Sequence, residues 1–144
     1  EITAYLNVLD KNFNTWNKIS QNLEKQKTEE YLEKGAIILK YEDKIIEELI
    51  ENADHVSLDG NKALALNSPV LNSKLGNRLL KSGVPLGIIW SKKGNKIAVS
   101  LRSTSKVDSS KIAAKFGGGG HKKAAGFAFK TQGNQIKFPW RIKQ

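Results

Sequence analysis

Cysteine and methionine are both missing from this chain of 144 residues. Without cysteine there is no disulfide framework, no thiolate metal site and no thiol nucleophile, which agrees with an intracellular, cytoplasmic setting. Without methionine the chain has no translation start of its own, so a piece of a longer protein is expected. No run of eighteen apolar residues occurs, and the opening EITAYLNVLDKNF lacks the basic-then-apolar order of a signal peptide. Neither a membrane span nor an export signal is therefore expected. Acidic side chains are the third scarcity, because Asp108 is the only one after Asp59. Histidine is the fourth, with His55 and His121 alone. A zinc or hard-cation site needs several converging acid or imidazole ligands, and acid–base hydrolysis wants a carboxylate pair; the second part of the chain offers neither. The serine-rich stretch SLRSTSKVDSS contains no nucleophile elbow. By itself this chain is not expected to hydrolyse anything, and no metal is expected within it.

What is present divides sharply by charge. Residues 1–59 hold seven Lys/Arg against thirteen Asp/Glu, a balance of −6, whereas residues 60–144 hold seventeen against Asp108 alone, a balance of +16. Scattered lysine is a common solubilising device. A region with almost no acids to neutralise its lysines, however, raises the local concentration of phosphate-bearing ligands and steers their approach.

Hydrophobic spacing gives the organisation. Leu6, Leu9, Phe13, Trp16 and Leu23 follow helical spacing, with Ile19 beside them, and predict one apolar stripe that something must cover. A second helix is predicted from Thr28, with Glu29 and Glu30 in its dipole-favoured first turn, through Ile38, Ile45, Leu49 and Ile50 toward Asn52. From His55 the pattern turns to strands. His55–Leu58 and Lys62–Leu66 flank an Asp59-Gly60 pair suited to a tight hairpin turn. Leu71–Lys81 has helical spacing, with Asn72 or Ser73 as cap and Gly83 and Pro85 as stop signals. Leu86–Ser91 and Lys96–Arg102 predict two strands, Asp108 or Ser109 caps a short helix through Ile112, Ala113 and Phe116, and Gly126–Phe129 with Gln135–Phe138 predicts a closing strand pair. The order ββαββαββ gives an α/β fold with a mixed sheet of about five or six strands flanked by helices, preceded by an N-terminal helical segment. His55 is expected to be structural. Of the late aromatic residues, Phe138 and Trp140 are expected to be the exposed pair.

Between the last helix and the strand after it stands KFGGGGHKKAAGF, residues 115–127. Four ordered glycines forfeit conformational entropy, which favours them only where the backbone must reach angles or a closeness that a Cβ forbids. A flexible linker is the alternative, but a capped helix runs straight in and an apolar strand straight out. Successive bare N–H groups can form an anion-binding concavity, and Lys122 and Lys123 add charge beside it. The GK[ST] ending of a nucleotide-binding P-loop is missing, and so is the spacing of a dinucleotide fingerprint. His121 has three roles open to it: hydrogen-bond donor to a phosphate or ribose, general acid or base, or structural cap.

Val99-Ser100-Leu101-Arg102-Ser103, Asp108, Ile112-Ala113, Phe116 with GGGGH to His121, and Ala124-Ala125-Gly126-Phe127 together resemble the C-terminal, DHH-associated domain of the DHH phosphoesterase superfamily. Leu71–Leu80, with Ser73, Gly76 and Asn77, is similar to the helix ahead of that domain's strand pair. The resemblance implies a DHH-associated domain over residues 30–144. Residues 1–29 would be a helical linker or the tail of a preceding catalytic domain. The superfamily includes single-strand-specific exonucleases, enzymes acting on very short RNAs or cyclic-dinucleotide products, nucleotide phosphatases and pyrophosphatases. Its catalytic domain carries Asp/His clusters that bind two divalent cations, usually manganese and otherwise magnesium. Asp54-His55 is the nearest echo here, with Val56 where a second His would stand. The resemblance therefore implies a parent hydrolase whose metal centre lies in an N-terminal DHH domain, and a chain here that binds nucleotides or short single-stranded nucleic acid. In that reading Arg102 grips a phosphate, the backbone of Gly118, Gly119 and Gly120 cradles it, His121 contacts the phosphate or the nucleotide, and Ser100 adds a hydroxyl. The rival expectation is a stand-alone nucleic-acid-binding module, like the C-terminal domain of alanyl-tRNA synthetases.

Overall fold

The computed structural model describes residues 1–25, 27–133 and 135–142. The chain falls into two compact units, Glu1–Glu47 and Glu48–Gln144, so that residues 30–47 cluster with the helices before them.

The first unit is helical. The single stripe expected over Leu6–Leu23 is instead broken into α1 (Ile2–Leu6) and α2 (Phe13–Glu24). The break has a local cause: Asn12 is extended and its side chain accepts the Thr15 N–H at 2.9 Å, which starts a new helix. Only Ile19 of the expected stripe is buried, while Phe13 is 82% exposed and Trp16 43%. The helix α3 (Glu29–Ile50) buries Tyr31, Gly35 and Ile46. Tyr31 meets the Tyr5 ring at 5.7 Å between centroids, and its hydroxyl accepts from Asn22 Nδ2 at 2.8 Å. No helix among the described residues is long and apolar enough to cross a membrane.

The second unit is a seven-stranded mixed sheet with one helix against each face. In chain order it runs β1 (Asp54–Leu58), β2 (Asn61–Asn67), α4 (Asn72–Lys81), β3 (Leu86–Lys93), β4 (Lys96–Ser103), α5 (Ser109–Lys115), β5 (Gly119–His121), β6 (Ala124–Lys130) and β7 (Arg141–Ile142). In space the order is β5-β6-β4-β3-β2-β1-β7. Among the described residues only β2 and β3 pair in parallel, and they are joined by the crossover through α4. The turn between β1 and β2 places Asp59 (φ 51°) and Gly60 (φ 78°) in the left-handed region, the geometry that matches the twist of a two-residue hairpin.

Alternation sorts the strand residues onto two faces. Val56, Leu58, Ala63, Ala65, Leu86, Ile88, Ile97, Val99, Leu101, Ala125 and Phe127 point one way and form the main core with Ile112 and Ala113 of α5. The opposite face buries Leu64, Leu66 and Ile89 on the side where α4 contributes Leu75 and Leu79.

Four expectations change. The glycine run itself supplies an edge strand, β5, paired with β6. Gln135–Phe138 makes only a bridge between Gln135 and Gln132, and the late strand is Arg141–Ile142, paired with β1. Trp140 is buried and stacks on the half-buried Phe138 with centroids 4.6 Å apart, because this last segment crosses the core face rather than leaving it. The N-cap of α4 is neither Asn72 nor Ser73 but Leu71, held at φ 58° with no side-chain cap bond. His55 lies exposed on β1.

Candidate phosphate-binding site

The glycine run begins by ending a helix. Asp108 caps the start of α5, its carboxylate accepting from Ser110 Oγ at 2.6 Å and from the amides of Ser110 and Lys111 at 3.1 and 3.3 Å. The Ser110 hydroxyl bond, helped by the two amides, holds the Asp108 carboxyl below its ordinary range. At the other end Gly117 (φ 74°) donates its N–H to Ala114 O and Gly118 donates to Ala113 O at 2.9 Å, the paired bonds of a Schellman stop. The Gly118 N–H is thus committed within the fold. A Cβ on Gly118 would lie 2.1 Å from Gly126 O and 2.5 Å from Phe127 Cβ, so the residue shapes the entry into β5 rather than offering a free donor.

The chain then becomes the sheet edge. Gly119, Gly120 and His121 pair with Gly126, Ala125 and Ala124 in turn. An edge strand leaves alternate N–H groups without a ladder partner. The turn after it, at Lys122 and Lys123, is pinned from inside: Ser109 N donates to Lys122 O at 2.8 Å and Ser103 N to Lys123 O at 3.1 Å. Ser109 Oγ donates to Ser103 Oγ at 2.8 Å, and Ser103 Oγ lies within hydrogen-bond reach of Val107 O and Lys122 O. Both serines are buried, so this network ties β4, α5 and the β5–β6 turn together with its hydroxyls satisfied.

Register decides which candidates meet. Arg102 pairs with Ala124, and Ala124 with His121. Ser100 pairs with Gly126, and Gly126 with Gly119. Directly opposed residues share a face, so Arg102, Ser100, Gly119 and His121 all lie on the α4 side, with Arg102 and His121 about 10 Å apart across two strand spacings. Gly120 belongs to the opposite face. Beyond Ser100 toward the edge the sheet is bare at Gly126 and Gly119, where a ligand can approach the backbone directly.

Helix α4 holds Arg102 in place. Gly87, opposite Arg102 on β3, and Gly76 on α4 let the helix close on the sheet: a Cβ on Gly87 would stand 3.0 Å from Gly76 O. The arginine stem then lies across Gly76, where a Cβ would meet Arg102 Cγ at 2.6 Å. Its Nη2 donates to Ser73 Oγ at 2.7 Å and its Nη1 to Leu101 O at 3.0 Å. No carboxylate is among these partners. Asn72 reaches Ser100 Oγ with Nδ2 at 3.5 Å, while its Oδ1 is buried without a partner. Asn72, Ser73 and Gly126 are the residues that sequence reasoning passed over. From the residues alone the first two read as caps, and Ser73 entered otherwise only through the family resemblance of Leu71–Leu80.

Residues 64–141 match the model of the DHHA1 domain. The chain belongs to this DHH-associated family. Protein R106 of Acanthamoeba polyphaga mimivirus, described as uncharacterized, is 35% identical over 139 residues, which cover 90% of this chain and 32% of that protein. The chain thus spans about a third of the length of this relative. Among solved structures, a pGpG-specific phosphodiesterase from Vibrio cholerae is similar with a TM-score of 0.52 at 14% identity, over 68% of this chain and 36% of that one. An exopolyphosphatase-related protein from Bacteroides fragilis is similar with a TM-score of 0.50 at 19% identity, over 83% and 39%. At such identities the likeness shows that the DHHA1 sheet and its helices are shared.

Proposed function

We propose that this DHHA1 domain is the substrate-binding half of a metal-dependent phosphoesterase, holding phosphate groups of nucleotides or short single-stranded nucleic acid for a catalytic DHH domain elsewhere in the protein. One observation carries the reading: Ser100 and Arg102 of β4 and Gly119 and His121 of β5 share one sheet face, with no acidic side chain paired to the arginine among the described residues. A planar guanidinium offers paired donors to phosphate oxygens, and a bare edge strand lets the ligand come close. One structural neighbour is named as a pGpG-specific phosphodiesterase and another as exopolyphosphatase-related, names that suit such a seat. Among the described residues no three His, Cys, Asp or Glu stand together to hold a metal ion. The reading assigns manganese or magnesium to the DHH domain, outside this chain, and assigns this chain only binding and orientation.

Titration of a 5′-phosphorylated dinucleotide against the wild type, Arg102→Ala and His121→Ala tests the proposal. Loss of a charge-assisted contact costs about 1.5–3 kcal/mol, so the Arg102 variant should bind roughly 10- to 100-fold more weakly. Equal binding by all three proteins would overturn the reading.

A further inference from the structure

The α4 side of the sheet does not stop at Ser100. Along β4 the same face continues through Ala98 to Lys96, and along β6 from Gly126 through Ala128 to Lys130. Lys96 pairs with Lys130 on one side and with Lys93 on the other, so three lysines lie in one rung across β3, β4 and β6. All three are exposed. Like charges directly opposed on neighbouring strands repel. After Asp59 the sequence holds one acidic side chain, Asp108, and it is engaged in capping α5. Between this rung and Arg102 the floor consists of Ala98, Ala128, Ser100 and Gly126, none larger than a hydroxymethyl.

We infer that the Lys93–Lys96–Lys130 rung is a second anion subsite, and that it forms with the Arg102 end one track for a single-stranded oligonucleotide, deepening the phosphate-binding reading on which it rests. Six residues of β4 separate Lys96 from Arg102, about 20 Å at the usual strand rise. A single strand stacked at about 3.4 Å per nucleotide covers that distance with roughly six nucleotides. The floor carries no aromatic side chain, so the track follows the backbone rather than stacking on bases, and its affinity depends on salt. A mononucleotide or dinucleotide reaches one end only.

The test uses 5′-phosphorylated oligodeoxyadenylates of roughly two to eight nucleotides, within the range of single-strand site sizes. Wild-type affinity should rise with length and level off near six. Simultaneous Lys93→Ala, Lys96→Ala and Lys130→Ala should leave dinucleotide binding within about twofold, remove at least about tenfold at the longer lengths, and flatten the log–log salt slope by about 2, at roughly 0.7 per lost charge. A charge-matched control, Lys62→Ala with Lys81→Ala and Lys111→Ala, should keep the length dependence. The inference is overturned by a wild type without length dependence, by a rung variant that retains the gain or loses short and long ligands alike, by a control that behaves like the rung variant, or by a duplex binding as well as the single strand. Failure of the Arg102 reading shows separately, as undiminished dinucleotide binding by Arg102→Ala.

Discussion

On β4 and β6, successive residues obey opposite rules. Those facing α5 (Ile97, Val99, Leu101, Phe127) are large, apolar and closed off. Those alternating with them on β4 and β6 (Ala98, Ser100, Arg102, Ala124, Gly126) are small or cationic and none is fully buried. One face therefore supplies stability through area removed from water. The other buries little apolar area on these two strands, its own buried residues being Leu64, Leu66 and Ile89 on the side of α4. Both rest on the same backbone, so the closed face fixes the spacing of the open one, and a substitution reveals which face it belongs to by whether folding or binding suffers.

The largest effect is expected on the closed face. Leu101→Ala removes a fully buried side chain flanked by Ser100 and Arg102, and should cost about 2–5 kcal/mol in urea unfolding. Binding per folded molecule should survive at temperatures where the variant is native. The next effect falls where the faces join at the edge. Gly118→Ala pushes a methyl into Gly126 O and Phe127, an overpacking that should cost about 1–3 kcal/mol and shift the amide NMR signals of β5 and β6. Ser109→Ala leaves the buried Ser103 Oγ without the hydroxyl that donates to it, for about 1–3 kcal/mol by the same unfolding measurement.

The open face should give the reverse pattern. Gly76→Ala offers about 1 kcal/mol of helix propensity yet drives a methyl against the arginine stem, so dinucleotide affinity should fall while the unfolding midpoint changes little. A Gly76 variant that binds normally would show that the position of the arginine is not set by the helix beneath it. The smallest effect concerns pH. The Asp108 carboxyl is held below its ordinary range in the folded chain, so its contribution is fully present above the unfolded value near 3.8 and is lost as pH falls through the lower folded value. Urea midpoints measured from about pH 5 downward should decline less steeply for Asp108→Asn than for the wild type.

Much of this arrangement was legible beforehand, for identifiable reasons. β3 announces itself by its apolar run LGIIW, β4 by alternation, both by the glycine-bearing turn between them, and α5 by the Asp108 cap. The SLRS and GGGGH segments, read as a family resemblance, lead to Arg102, Ser100 and His121 as candidates, and the fold sets all three on one face. β5 was hidden because glycine has no side chain to alternate. β7 is two residues long and exists only through pairing with β1, far away in sequence. Phe138 and Trp140 looked exposed because their sequence neighbours are polar, whereas a core that draws on distant strands covers Trp140 and half of Phe138.

The sequence by itself determined the local choices: where helices start and stop, which strand residues are apolar, and that the second part of the chain carries positive charge with almost nothing to cancel it. These depend on propensity, capping and spacing within a few residues. Tertiary structure alone decided that Arg102 and His121 lie in one rung, that Ser73 holds the arginine, and that three lysines from three strands stand side by side. Those relations are matters of register between strands, and register is set by which faces must be buried across the whole sheet at once.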